Sequence, residues 1–258
     1  MKPTIPSGLQ EKWIIPILRE LAEAIKWVHQ AGIIHRDIKC KQSRFSQLTV
    51  SLLISIGANV LITEEGGVQL CDFGVSGTLE TKVDKRTTMV GTPHWMAPEL
   101  FESSPSYGKE VDIWAYGAMA YELATGLPPN VLKGITQEKL GMHLKKHVPR
   151  LEGGNYSSGL RSIVAFCMEE NAADRPTIED IQTHNYIADT SVTHPASSLA
   201  DLVKAFKRWE DHGGSRKSLF MRGGAQAPPE IASTALSDDL WNFSTTAAFD
   251  ENLSLIHI

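Results

Sequence analysis

Residues able to do chemistry are concentrated in four short runs that follow one another along the chain: His35-Arg36-Asp37-Ile38-Lys39, Asp72-Phe73-Gly74, Gly91-Thr92-Pro93 and Ala97-Pro98-Glu99. Two further runs, Asp112-Ile113-Trp114-Ala115-Tyr116-Gly117 and Asp174-Arg175-Pro176, come after them. Carboxylates such as Asp37 and Asp72 can accept a hydroxyl proton or bind a hard divalent cation through oxygen, and a lysine such as Lys39 neutralises a nearby anion. Zinc and disulfide chemistry have less to work with. Cys40, Cys71 and Cys167 are odd in number and widely spaced, and they form neither a CxxC pair nor a His-bearing cluster.

The elements that must position these runs are legible from periodicity. A helix is predicted over 9–30, where Ile14, Leu18, Leu21, Ile25 and Val28 recur at steps of four and three. Ser7 and Gln10 make an S-x-x-Q capping box before it. Pro16 removes a hydrogen bond inside it, so a kink or a later start is expected. Residues 60–71 read as a hairpin about Glu64-Glu65-Gly66-Gly67. A second long helix is predicted over 109–125, stopped by Gly126 ahead of Pro128-Pro129, with shorter ones near 136–146, 158–170 and 177–184. Up to about residue 188 the chain is therefore mainly α with one small β-hairpin. Residues 198–211 put Leu199, Leu202, Val203 and Phe206 on one face of a docking helix ended by Gly213-Gly214. From 215 to 258 a sequence rich in Gly, Ser, Ala and Pro reads as a flexible tail.

Composition narrows the function classes. With 25 Lys+Arg against 30 Asp+Glu the net charge is −5, which gives no global attraction for nucleic acid or anionic lipid. Hydrophobic residues at 42% and charged residues at 21% belong to a globular chain. Residues 45–63 are 19 in a row without a charge, close to the length of a membrane helix. Seven polar residues interrupt them, and LTVSLLISI has β-type composition, so no membrane span is expected. The N-terminal residues hold no apolar run of signal-peptide length, and a reducing cytosolic or nuclear compartment, in practice a cytoplasmic one, is the expectation.

Taken together, the six runs resemble the catalytic core of a protein kinase. Ala58-Asn59-Val60-Leu61-Ile62-Thr63, CDFGVSG at 71–77 and VGTPHWMAPE at 90–99 look like the germinal-centre branch of the sterile-twenty-like group. LADLVKAFKRWEDHGGSRKSLF and DDLWNFSTTAAFDE are similar to the post-catalytic region of fungal morphogenesis and septation kinases in that branch. The resemblance implies a kinase large lobe over 1–188, a post-catalytic helix over 189–214 and a tail over 215–258, with ATP and Mg2+ as cofactors. On this resemblance Asp37 accepts or orients the substrate hydroxyl's proton, Lys39 neutralises the transferring group, and Asp72 and Asn59 are magnesium ligands. Thr92 contacts Asp37 and Lys39, a pairing of serine/threonine rather than tyrosine kinases. Thr88 is the regulatory phosphosite, with Thr87 its nearest competitor, and Arg36 can meet the phosphate. Glu99 and Arg175 form a buried ion pair and Asp112 braces the backbone of the His35 run; these roles are structural. The implied partners are protein substrates, downstream kinases among them, and scaffold proteins recruited through the post-catalytic helix and tail.

Two departures from that pattern stand out. The residues before His35 contain no Gly-rich phosphate loop, no V-A-I-K lysine and no partner glutamate, so the large lobe is expected alone, as a weakly active or inactive fragment. The family spacing H-R-D-x-x-x-x-N puts Asn five positions after Asp, whereas Asn59 lies 22 after Asp37. Removing seventeen residues from 40–57 restores it. The block holds no acidic residue, and its Cys40-Lys41 pair can be encoded with a GTAAG donor, so a retained intron is the reading. The alternative to an enzyme is a non-catalytic pseudokinase-like module that acts as a scaffold.

Overall fold

The computed structural model describes residues 8–38, 53–55, 59–73, 76–78, 93–133, 135–153 and 156–211. The first helix, α1 (Glu11–Gln30), follows from its apolar stripe: Ile14, Ile17, Leu18, Leu21, Ile25 and Val28 are all buried. Its N-cap is Gln10, extended and without a side-chain cap bond. The expected Ser7–Gln10 box therefore gives way to a start at Glu11, and Ser7 lies outside the described residues. Pro16 does not end the helix. Its missing N–H leaves the Lys12 carbonyl without the usual helical partner, a loss offset by burying the ring in the core.

Among the described residues five short strands follow: β1 (Ile33–Ile34), β2 (Leu53–Ser55), β3 (Val60–Thr63), β4 (Val68–Leu70) and β5 (Gly77–Thr78). β1 and β5 make a two-stranded antiparallel ladder, with Ile33 opposite Thr78. The other three form an antiparallel sheet in the order β2-β3-β4, with Ile62 paired to Ile54 on one side and Val68 on the other. The expected two-stranded hairpin is thus three-stranded, because part of the uncharged block adds along the free edge of β3; the rest of 40–57 lies outside the described residues. At the turn the Thr63 amide donates to the Gly67 carbonyl at 2.8 Å, and Gly66 takes φ +91°, a left-handed angle that suits glycine.

After two 3₁₀ turns (Pro93–Trp95 and Pro98–Phe101) comes α2 (Glu110–Thr125), buried on nearly every side, as expected of a helix at the centre of a core. Gly126 closes it at φ 82°, donating to the Glu122 carbonyl at 2.7 Å. Four shorter described helices complete the set: α3 (Gln137–Leu144), α4 (Ser158–Cys167), α5 (Ile178–Gln182) and α6 (Leu199–Asp211). α2 packs against α4 and α1, while α1 also contacts α5 and α6. Residues Met1–Arg216 make one compact unit, so α6 shares a core with the elements before it. The tail over 215–258 lies outside the described residues. No described helix is long and apolar enough to cross a membrane.

Candidate active site

The loop after β1 is held by one buried carboxylate. Asp112, in the first turn of α2 and fully buried, accepts from the His35 amide at 2.9 Å, the Arg36 amide at 2.8 Å and the His29 ring at 2.9 Å. Burial works to raise its pKa, but the His29 hydrogen bond, the charges of His29 and His35 and the His35 amide together hold it below the ordinary carboxylate value. This clamp fixes a strained backbone: Arg36 sits at φ 67°, which costs an L-residue about 1–2 kcal/mol. The Arg36 side chain donates to the Tyr107 hydroxyl at 3.2 Å and to the Ser76 carbonyl at 2.9 Å.

His35 is buried and packs edge-on against Phe73, ring centroids 4.8 Å apart. Its Nε2 donates to the Cys71 carbonyl at 3.1 Å, while Nδ1 faces the Asp37 amide at 3.4 Å. Burial lowers its pKa against the raising influence of Asp112, Asp37 and Asp72, so the neutral tautomer with the proton on Nε2 fits both contacts. The result is a tether between the Asp37 loop and the start of the Asp72 run.

Asp37 and Asn59 come together despite the 22 positions between them. Asn59 Nδ2 donates to the Asp37 carbonyl at 2.5 Å and to Asp37 Oδ2 at 3.3 Å. The Asn59 carbonyl in turn accepts from the Cys71 amide at 2.9 Å, which brings Asp72, an exposed carboxylate at φ 63°, next to the same strand end. Cys71 is half-buried, and burial, helped by the Asp72 charge, pushes its thiol up to about 11; it stays protonated and unreactive at neutral pH. Lys39, Thr88 and Thr92 lie outside the described residues.

The residues after the 3₁₀ turns anchor this arrangement. Arg175 grips Glu99 in a two-pronged pair, Nη1 to Oε1 at 2.6 Å and Nη2 to Oε2 at 2.7 Å. It also donates to the carbonyls of Glu169, Glu110 and Glu170 and stacks over Trp114. Trp95 Nε1 donates to Glu122 at 2.8 Å and His94 Nδ1 to the Pro129 carbonyl at 3.1 Å. Sequence reasoning passed over His29 and Tyr107. The signal for His29 was present, since it continues the α1 stripe four residues after Ile25 and is therefore a polar group placed in the core; Tyr107 precedes α2 and had no periodicity to mark it.

The donor set fits a magnesium ion bound with a nucleotide. Asn59 Oδ1 is buried and has no hydrogen-bond partner, an acceptor whose desolvation nothing in the described residues offsets. Magnesium is usually held by one or two carboxylates plus substrate phosphates, and the exposed Asp72 carboxylate lies at the same end of the hairpin as Asn59.

A family model described as the protein kinase domain matches residues 57–187. The chain is 37% identical over 214 residues to the serine/threonine-protein kinase KIC1 of Saccharomyces cerevisiae, covering 83% of this chain and 18% of that one. Against the serine/threonine-protein kinase ppk11 of Schizosaccharomyces pombe it is 36% identical, with 78% and 57% covered, and against Sporulation-specific protein 1 of Saccharomyces cerevisiae 32%, with 99% and 48% covered. It therefore spans less than two thirds of the length of each of these relatives. From a match over half of its residues and from relatives such as these, this chain belongs to the protein kinase domain family, among serine/threonine kinases of the sterile-twenty and germinal-centre type.

Proposed function

We propose that this chain carries the large-lobe catalytic apparatus of a serine/threonine protein kinase that moves the γ-phosphate of ATP to serine or threonine of protein substrates in a polarity or cell-division cascade. The observation that carries the reading is the Asn59 amide, whose Nδ2 fixes Asp37 while its buried Oδ1 has no partner. In this reading Asp37 takes or orients the hydroxyl proton as that oxygen bonds to phosphorus and the bond to the ADP oxygen breaks. Asn59 and Asp72 hold magnesium, which when bound neutralises and orients the phosphates. Lys39 balances charge on the transferred group, Thr92 steadies Asp37 and Lys39, and Thr88 is the regulatory phosphosite, with the action in the cytoplasm. Scaffold proteins engage the post-catalytic helix and tail.

The test uses the product of the complete transcript. Asp37→Ala and Asp72→Ala should each reduce kcat for a serine or threonine peptide by roughly 10²–10⁴-fold; undiminished turnover in both variants overturns these residue roles, and absence of turnover in the unsubstituted protein favours a scaffolding module. The 258 residues contain no Gly-rich phosphate loop and no V-A-I-K lysine, so this chain by itself should label a basic substrate no faster than its Asp37→Ala variant. We also read 40–57 as a retained intron. The residues on either side of it, Asp37 and Asn59, are hydrogen-bonded to each other, as the five-position family spacing would also place them. Reads of the mature message that keep all of those codons would remove the intron idea.

A further inference from the structure

We propose that the segment from Ala196 through α6 is a positioning element for the two candidate magnesium ligands and acts on them through the β3–β4 hairpin. The inference rests on the reading of Asn59 and Asp72 given above. The open end of the hairpin carries both: Asn59 immediately precedes β3, Asp72 follows β4 by two residues, and the Cys71 amide ties the two strand ends by donating to the Asn59 carbonyl at 2.9 Å.

The closed end is seated on the post-catalytic segment. Gly66 is buried against it so closely that a Cβ would lie 2.4 Å from the Ala196 carbonyl oxygen and 3.1 Å from Ser197 Cα. Beside it Glu64 forms an ion pair with Lys207 of α6. α6 itself packs along β3 and β2 and is anchored by Leu199, 0% exposed, and Val203, 2% exposed. The linker before it is fixed to α1, because Arg19 Nη1 donates to the His194 carbonyl at 2.9 Å and the Thr190 hydroxyl at 3.1 Å.

Strands this short take their position from what they pack against, and the hairpin lies between α1, which contacts β4, and α6, which contacts β3. Strands of three and four residues put the seated turn only about 10–13 Å from the ligand-bearing end. A hydrogen-bonded ladder that short transmits a displacement of the turn to Asn59 and Asp72. The post-catalytic segment thereby sets the separation and aim of the metal ligands without touching substrate.

Hydrogen exchange on the full 258-residue chain tests this. Lys207→Glu and Glu64→Lys each place like charges together at a site 40% and 39% exposed, so both variants fold. Each should speed exchange of the Cys71 amide and the β3–β4 amides about two- to fivefold, with α2 amides unchanged, and the double charge swap should restore the original rates. Val203→Asp, which detaches α6, should exceed tenfold at the same amides. In the product of the complete transcript, with ATP present, Mn2+ should slow Cys71 exchange, and each single swap should raise the half-effective Mn2+ concentration by the same two- to fivefold. Unchanged Cys71 exchange in all three variants, or a rise equal in α2, overturns the positioning role. A hairpin that responds to the swaps while Mn2+ protects no variant overturns the metal reading alone.

Discussion

His94 shows how a single side chain makes the protein sensitive to pH. Burial lowers its pKa, with the hydrogen bond to the Pro129 carbonyl pulling weakly the other way; burial likewise lowers His35 and His184. Below the ordinary histidine value of 6.5 the unfolded chain binds protons that the folded chain resists. Stability from these groups is therefore full above about pH 6.5 and is lost as pH falls toward their folded pKa values. Urea unfolding should show a lower midpoint at pH 5.5 than at pH 7.5, and His94→Gln should narrow that gap. An equal gap in the variant would show that His94 does not contribute.

Among the helices, the contact of α2 with α4 leaves little room for error. Gly117 lets α2 approach the end of α4, and a Cβ there would sit 2.7 Å from Met168 Cγ and 2.8 Å from Cys167 Cβ. Gly117→Val should therefore destabilise the fold by about 1–3 kcal/mol through overpacking, read as a lowered urea midpoint, whereas Gly153→Val, where nothing lies within 4 Å of the added Cβ, strains only its own positive φ. At this level the sequence was easiest to read where periodicity and punctuation agreed. α2 was marked by its apolar run and Gly126, and α1 by its stripe, although its start at Glu11 depends on a cap that uses no side chain. β2 was recognisable as β-type composition but not as a partner, because strand pairing is a tertiary choice. In the site, the Asp37–Asn59 contact was hidden by the 22-residue separation and emerged only from a motif; His29 was hidden because nothing in a linear pattern says which acceptor a buried imidazole meets.

Over the whole compact unit, the Glu99–Arg175 pair acts as a long-range brace. Its partners are 76 residues apart, the arginine side chain is fully buried and the glutamate is 13% exposed. Removing one member strands the other's charge in the interior, which costs about 3–5 kcal/mol, so Arg175→Ala should lower the urea midpoint of the entire unit in one cooperative transition. Arg175→Met combined with Glu99→Gln should recover part of that loss, since the penalty comes mostly from the orphaned charge. A small effect of Arg175→Ala with no recovery in the double variant would assign the residue a minor role.

The Asp112 clamp also bears on synthesis. Arg36 precedes Asp112 by 76 residues, and ribosomes add about 5–20 residues per second, so roughly 4–15 seconds pass in which a nascent chain displays His35, Arg36 and Asp37 with no carboxylate to set them. During that interval nothing holds Arg36 at its positive φ, and the loop relaxes to ordinary backbone conformations. Translation pausing between α1 and α2 would lengthen the exposure of an unset loop to chaperones and proteases.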